Sequence, residues 1–236
     1  MEFAIGDSHS TFFEQSGIMK SHWLGPINTA TIYQLLSRDL DLYSLKEILA
    51  TSDHYVNVGA AKWQFPDGIY TTENIKQNDI VIFCYGFNDI QKNINKYAAN
   101  SYKEEIAGLI HKYLKLLKEY EKRFKITCIP CSIPPNTSPK PEGVIGNFSY
   151  GISGDFSTNG TSEERHSYNV YGNKIIKESC ISYGLKFLNL YDIISDPNGF
   201  LKKEYTTDYV HLQWDNKELV DKIKKLLDEI VFNGLF

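Results

Sequence analysis

Arginine and cysteine are both scarce in this sequence, and each shortage excludes a class of protein. Only three of the 25 basic residues are arginine, and the net charge is −4 with a sequence pI near 5.9. A chain of this charge is not expected to bind nucleic acid or an anionic membrane surface. Four cysteines among 236 residues are too few for a disulfide scaffold.

Two of these cysteines, Cys128 and Cys131, have the spacing of a redox or metal motif. They lie in an apolar run that lacks a thioredoxin-like helix start. A zinc site would need a second pair or neighbouring histidines, which the sequence does not offer. We therefore expect structural cysteines, no metal and no cofactor.

Long apolar runs are also missing. No stretch approaches the ~20 residues that span a bilayer. Residues 1–8 lack the basic region followed by an apolar one that marks a secretory signal. We therefore expect a cytoplasmic protein that does not insert in a membrane.

The rest of the composition is typical of a globular protein, with 42% hydrophobic and 23% charged residues. No repeat or linker divides the chain, which predicts one domain over residues 1–236. Apolar runs predict strands at Phe3–Ile5, Met19–Leu24, His54–Gly59, Asp79–Cys84, Phe124–Ile129 and Lys186–Leu190. Helical periodicity predicts helices at Thr29–Leu40, Ser101–Lys122 and Asp215–Phe232. A capping box of Thr161 with Glu164 predicts a helix that runs to Tyr183, where Gly184 can end it. The apolar residues that recur at helical spacing, and so predict an inward face, are Ile106, Leu109, Ile110, Tyr113, Leu117 and Tyr120 in the second helix and Leu219, Val220, Ile223, Leu226, Leu227 and Ile230 in the last.

This alternation of strands and helices predicts a parallel α/β sheet with helices on both faces. In such sheets the chemistry gathers at the carboxyl ends of the strands. Residues 136–160 are rich in Pro, Gly, Ser and Asn and show no sustained period. They predict a long loop over one end of the sheet, and loops of that length are usually functional.

A first candidate motif, Gly6–Ser10, directly follows the first predicted strand. The backbone N–H of Ser8 would lie near a helix N-terminus, a setting that stabilises an oxyanion. Taken alone, the motif is equally typical of a helix cap.

A second candidate, Asp208–His211, precedes the last predicted helix. Serine becomes a good nucleophile when a base takes its proton, and the base needs an acid to fix its tautomer. One turn would supply both groups, although a surface Asp and an ordinary His give the same pattern.

A third candidate, Gly86–Asp89, follows the most apolar strand. The amide of Asn88 could donate to an oxyanion, and Gly86 would allow a close turn. A simple turn has the same residue preferences.

Together these three blocks, in this order, resemble the SGNH/GDSL hydrolase family over nearly the whole chain. The resemblance implies a single-domain three-layer α/β/α sandwich with a central, mostly parallel five-stranded sheet. It also implies that Ser8 is the nucleophile, His211 the base, Asp208 its orienting acid and Asn88 an oxyanion donor. The family's shorthand motif has Leu where this chain has His9.

The resemblance leaves two glycines open for the remaining oxyanion donor. Gly25, in a Leu-Gly-Pro sequence, resembles a subgroup found beside genes for surface polysaccharides. Gly59 follows a Val-Asn-Val strand pattern that is closer to the common family form, but its distance from Ser8 is longer than usual. Gly25 is slightly favoured.

The resemblance further implies a serine esterase or acyltransferase that forms an acyl-enzyme. The aromatic residues of the 136–160 segment suit sugar rings, so we expect a small acyl group, acetyl, on a carbohydrate. We expect the substrate to contact Asp7, His9, Phe87 and Arg165. The alternatives are a thioesterase or lysophospholipase with the same triad, and a polysaccharide-binding protein without catalysis. The oligomeric state stays open.

Overall fold

A parallel sheet forms the centre of the fold. The computed structural model describes residues 2–23, 31–37, 76–90, 102–136, 162–207 and 211–232. Its strands run in the order β2-β1-β3-β4, and every pair is parallel. Their bounds are Glu2–Gly6 (β1), Lys20–Trp23 (β2), Ile80–Cys84 (β3) and Thr127–Pro130 (β4).

A fifth position extends this sheet beyond β4. Leu188 forms a single parallel bridge to Cys131, with its N–H donating to Pro130 O at 3.0 Å. The order is then that of flavodoxin-like folds, in which ligands bind where neighbouring connections leave in opposite directions, between β1 and β3.

Helices cover both faces of the sheet. They are α1 (Thr11–Gln15), α2 (Ile32–Ser37), α3 (Tyr102–Phe124), α4 (Ser162–Tyr183), α5 (Tyr191–Ile194) and α6 (Lys217–Phe232), with 3-10 turns at Ser8–Ser10 and Lys203–Tyr205. Residues 87–90 are also helical.

Strand β3 shows why both faces need cover. Val81 and Phe83 pack into the core formed with α2, α3 and α4, whereas Ile82 and Cys84 pack into the core formed with α1, α5 and α6. Because both faces are buried, the strand reads as a continuous apolar run rather than an alternating one. This confirms the predicted three-layer α/β/α architecture.

The helical periodicities are also confirmed. The residues predicted to face inward on α3 are all buried: Ile106, Leu109, Ile110, Tyr113, Leu117 and Tyr120. On α6 the same is true of five of the six predicted residues, and Leu226 is partly buried. Gly184 ends α4 as predicted, with a φ of 61° and the hydrogen bonds of a Schellman motif.

Two predicted strands differ from the structure. The strand predicted at Phe124–Ile129 starts three residues later, because α3 continues through Phe124 and Lys125 turns the chain with a φ of 53°. The strand predicted at Lys186–Leu190 shrinks to one bridge. The chain leaves the sheet there because Leu190 N bonds back to Leu188 O and Tyr191 N donates to Ser132 Oγ, which starts α5.

Other predictions fall outside the described residues. These are the strand at His54–Gly59, the capping residue Thr161 and all but the first residue of the 136–160 loop. The cysteines predicted to be structural are buried and free, and Cys128 and Cys131 lie in the cores on opposite faces of the sheet.

The β1–β3 contact depends on Gly6. A Cβ at this position would overlap the carbonyl oxygen of Cys84 on the neighbouring strand. We predict that Gly6→Ala lowers the free energy of unfolding by about 3 kcal/mol, as overpacking against backbone does. Gly108→Ala is the matched control, because its Cβ would meet nothing within 4 Å inside helix α3.

The control should stabilise the protein by about 0.5–1 kcal/mol, the difference in helix propensity between the two residues. Urea unfolding measures both changes. Equal midpoints for Gly6→Ala and the wild type would contradict the close approach described here.

Candidate active site

Two of the three sequence motifs lie side by side at the carboxyl edge of the sheet. Gly6 at the end of β1 pairs with Cys84 at the end of β3. Ser8 then opens a 3-10 turn, and Asn88 lies in the helical turn that follows β3. This edge is the position at which the fold was expected to gather its chemistry.

Asp7 links these two motifs. Its side chain is 1% exposed. One carboxylate oxygen accepts the His9 backbone N–H at 2.9 Å, and the other accepts the Asn88 side-chain amide at 3.3 Å. The acid that precedes Ser8 therefore fixes both the turn containing Ser8 and the orientation of the Asn88 amide.

His211 approaches the same turn from the C-terminal part of the chain. Its half-buried ring lies 5.1 Å, centroid to centroid, from the ring of His9, the residue after Ser8. The ring of His9 in turn contacts that of Phe87 edge-on at 4.5 Å. The three motifs, separated by more than 200 positions of sequence, thus converge on residues 7–9.

Hydrogen bonds hold the segment that carries His211 at its base. Gln213 N donates to Tyr205 O at 2.8 Å. Asn216 accepts Leu219 N at 3.1 Å with its side-chain oxygen, which caps α6, and donates its amide to Glu204 O at 3.1 Å. Sequence reasoning did not find Asn216, since its second partner is in a different element.

The Gly86–Asp89 block performs one further task that its sequence did not predict. The buried carboxylate of Asp89 accepts Ile32 N at 2.9 Å and Tyr33 N at 3.4 Å, and so caps α2 from 57 residues away. Gly86 has a φ of 111°, and a Cβ there would lie 2.8 Å from the side chain of Ile133. Gly86 and Asp89 therefore both fix the position of the helical turn that carries Asn88.

The remaining site residues stay predictions. Gly25, Gly59 and Asp208 lie outside the described residues. Arg165 lies in the first turn of α4, half-buried, and burial lowers the pKa of its guanidinium from the ordinary value.

Among the described residues, no three His, Cys, Asp or Glu side chains are grouped so as to hold a metal ion. No described helix is both long and apolar enough to cross a membrane.

Comparison with known proteins identifies the family. Residues 3–223 match the family model described as GDSL-like lipase/acylhydrolase. The chain therefore belongs to this family.

Solved structures support the fold. The chain resembles a GDSL-like lipase from Bacteroides thetaiotaomicron with a TM-score of 0.51 and 18% identity, over 99% of this chain and 88% of that one. It also resembles a structure assigned as a platelet activating factor from Streptococcus pneumonia, with a TM-score of 0.50 and 17% identity over 95% and 81% of the two chains.

The chain is also similar to a protein whose name indicates a different class of enzyme. A glutamyl-tRNA reductase from Wigglesworthia glossinidia brevipalpis is 26% identical over 211 residues, which are 86% of this chain and 41% of the reductase. The chain thus spans less than half the length of that relative, and the identity is too low to show a shared family.

The link between Asp7 and Asn88 gives a test of the site's construction. We predict that Asp7→Ala and Asn88→Ala are non-additive in the free energy of unfolding, with a coupling of about 1–2 kcal/mol for this buried, charge-assisted hydrogen bond. Urea unfolding of both single variants and the double variant measures the coupling.

Asn198→Ala, an exposed asparagine on the turn before Phe200, provides the control cycle with Asp7→Ala and should show additivity. Additivity for Asp7 with Asn88 as well would mean that the two side chains do not support each other.

Proposed function

We propose that this protein is a serine esterase, or acyltransferase, that removes or moves a small acyl group through a Ser8–His211–Asp208 triad. The observation that supports it most is the flanking of Ser8. Asp7, on one side of Ser8, is bonded to Asn88, and His9, on the other side, contacts His211. Membership of the family supports ester chemistry. The contacts that bring the three motifs together around Ser8 support the choice of catalytic residues.

In the proposed reaction His211 takes the proton of the Ser8 hydroxyl as its oxygen attacks the ester carbonyl. The bond from Ser8 oxygen to the carbonyl carbon forms, and the bond to the leaving alkoxide then breaks. His211 gives its proton to that alkoxide. Water or an acceptor alcohol takes the acyl group in the second half-reaction, while Asp208 orients His211 and balances its charge.

The tetrahedral oxyanion needs several donors. We assign the Ser8 backbone N–H and the Asn88 amide, with Gly25 preferred over Gly59 for the third. Two observations favour Gly25. Trp23, two residues before it, pairs with Gly6 at the end of β1, and the start of α2, a few residues after it, is held by Asp89 beside Asn88.

For the substrate we propose an acetyl ester of a carbohydrate. The support is the resemblance to a subgroup associated with surface polysaccharides and the aromatic residues in the 136–160 segment, Phe148, Tyr150 and Phe156. His9 and Phe87, whose rings flank the site, would contact the substrate. Arg165 would pair with an acidic group on the sugar. Asp7 is buried, which favours a positioning role over substrate contact.

Hydrolysis of p-nitrophenyl acetate at neutral pH, with EDTA present, tests this proposal. Ser8→Ala should abolish the activity. Asn88→Ala should lower kcat by about 10²–10³-fold, or about 3 kcal/mol, with little change in KM, because the lost donor acts on the transition state.

Ser16→Ala is the matched control, since its hydroxyl bonds to Phe13 O at the end of α1, and it should keep full activity. Equal hydrolysis by Ser8→Ala and the wild type would contradict the proposed nucleophile. A preference for octanoyl over acetyl esters would indicate a thioesterase or lysophospholipase instead.

A further inference from the structure

A small cavity is lined in part by the turn that carries Ser8. Its lining includes Asp7 and His9, the two neighbours of Ser8, and Leu212, the neighbour of His211. The residues that flank the proposed nucleophile and the proposed base therefore share this cavity.

The cavity walls are mostly apolar. Leu190 from the start of α5 lines it, as do the thiols at the ends of β3 and β4, Cys84 and Cys131. The hydrogen bond to Cys131, together with burial, raises the pKa of the Cys84 thiol well above its ordinary value. That thiol is therefore neutral at physiological pH, and the walls suit an alkyl group rather than a charged or strongly polar one.

The cavity is also small. Its volume is about 20 Å³, and a cavity needs ~10–15 Å³ to hold a single water. A space of this size suits a methyl group better than a chain of three or more carbons.

We propose that this cavity is the acyl pocket and that Leu190 is the residue that restricts the enzyme to acetyl groups. The proposal rests on the function proposed above and adds the determinant of acyl length. Leu190 is 5% exposed and belongs to the core on the α1, α5 and α6 face. Its side chain lines the cavity.

The test is the ratio of kcat/KM for p-nitrophenyl butyrate to that for p-nitrophenyl acetate. The wild type should prefer acetate. Leu190→Ala should raise the ratio on the order of tenfold, because each additional buried methylene favours the longer ester about fourfold. Leu117→Ala on α3 is the matched control, since it removes an equally buried leucine from the opposite face of the sheet.

Cys131→Val provides the converse change and does not depend on Leu190→Ala folding well. The added carbon should fill the cavity and lower kcat/KM for acetate at least tenfold. An unchanged ratio in Leu190→Ala, or the same shift in Leu117→Ala, would overturn the proposed pocket. Wild-type turnover of octanoate as fast as acetate would do so too.

A second readout separates this proposal from the first. Alkyl fluorophosphonates form a bond from Ser8 oxygen to phosphorus and release fluoride, while the proton passes to His211. Leu190→Ala should favour labelling by the butyl over the methyl reagent, relative to the wild type. Labelling of Ser8 without a change in preference overturns the pocket alone. If the wild type neither hydrolyses the esters nor is labelled by the fluorophosphonates, both proposals are overturned.

Discussion

The close contact between the carboxyl ends of β1 and β3 is the constraint on which the rest of the site depends. Gly6 lies directly against the backbone of Cys84, and Asp7 N donates to Cys84 O at 3.2 Å. These two strands are central in the sheet, and the connections that follow them leave the same edge. Because the strands lie so close, the turn after β1 and the turn after β3 are next to each other at the carboxyl edge of the sheet.

Two buried carboxylates convert that proximity into a defined geometry. Asp7 and Asp89 are each 1% exposed. Each accepts N–H groups from the segments it holds: the Ser8 turn and Asn88 in one case, and the start of α2 in the other. A buried carboxylate is costly unless its oxygens are satisfied in this way. The acids in these motifs therefore act on the arrangement of the backbone and of Asn88.

Much of this could be predicted from the sequence because it depends on local pattern. The apolar run of β3, the period of α3 and α6, and the placement of Ser8 and Asn88 just after strands all follow from short stretches. The convergence of Asn88 and His211 on the Ser8 turn could be inferred only from the combined resemblance of three blocks, since each block alone is as typical of a turn or cap.

The parts that could not be predicted depend on contacts between distant segments. Asp89 caps a helix that starts 57 residues earlier, and Asn216 joins α6 to a turn twelve residues before it. The extension of α3 through Phe124 depends on the left-handed backbone conformation of Lys125. The sequence at this point contains no glycine, asparagine or other residue typical of a turn. The cavity lined by Asp7, His9 and Leu190 forms from side chains of five separate stretches of chain, which no periodicity links.

We propose that three distant motifs together make Ser8 reactive. Rapid acid quenching of the enzyme with p-nitrophenyl acetate, followed by peptide mapping, tests it most directly. We expect one acetyl group per chain on the peptide containing Ser8, and none in His211→Ala under the same conditions. Acetyl groups on another residue, or equal acetylation of Ser8 in His211→Ala, would contradict it.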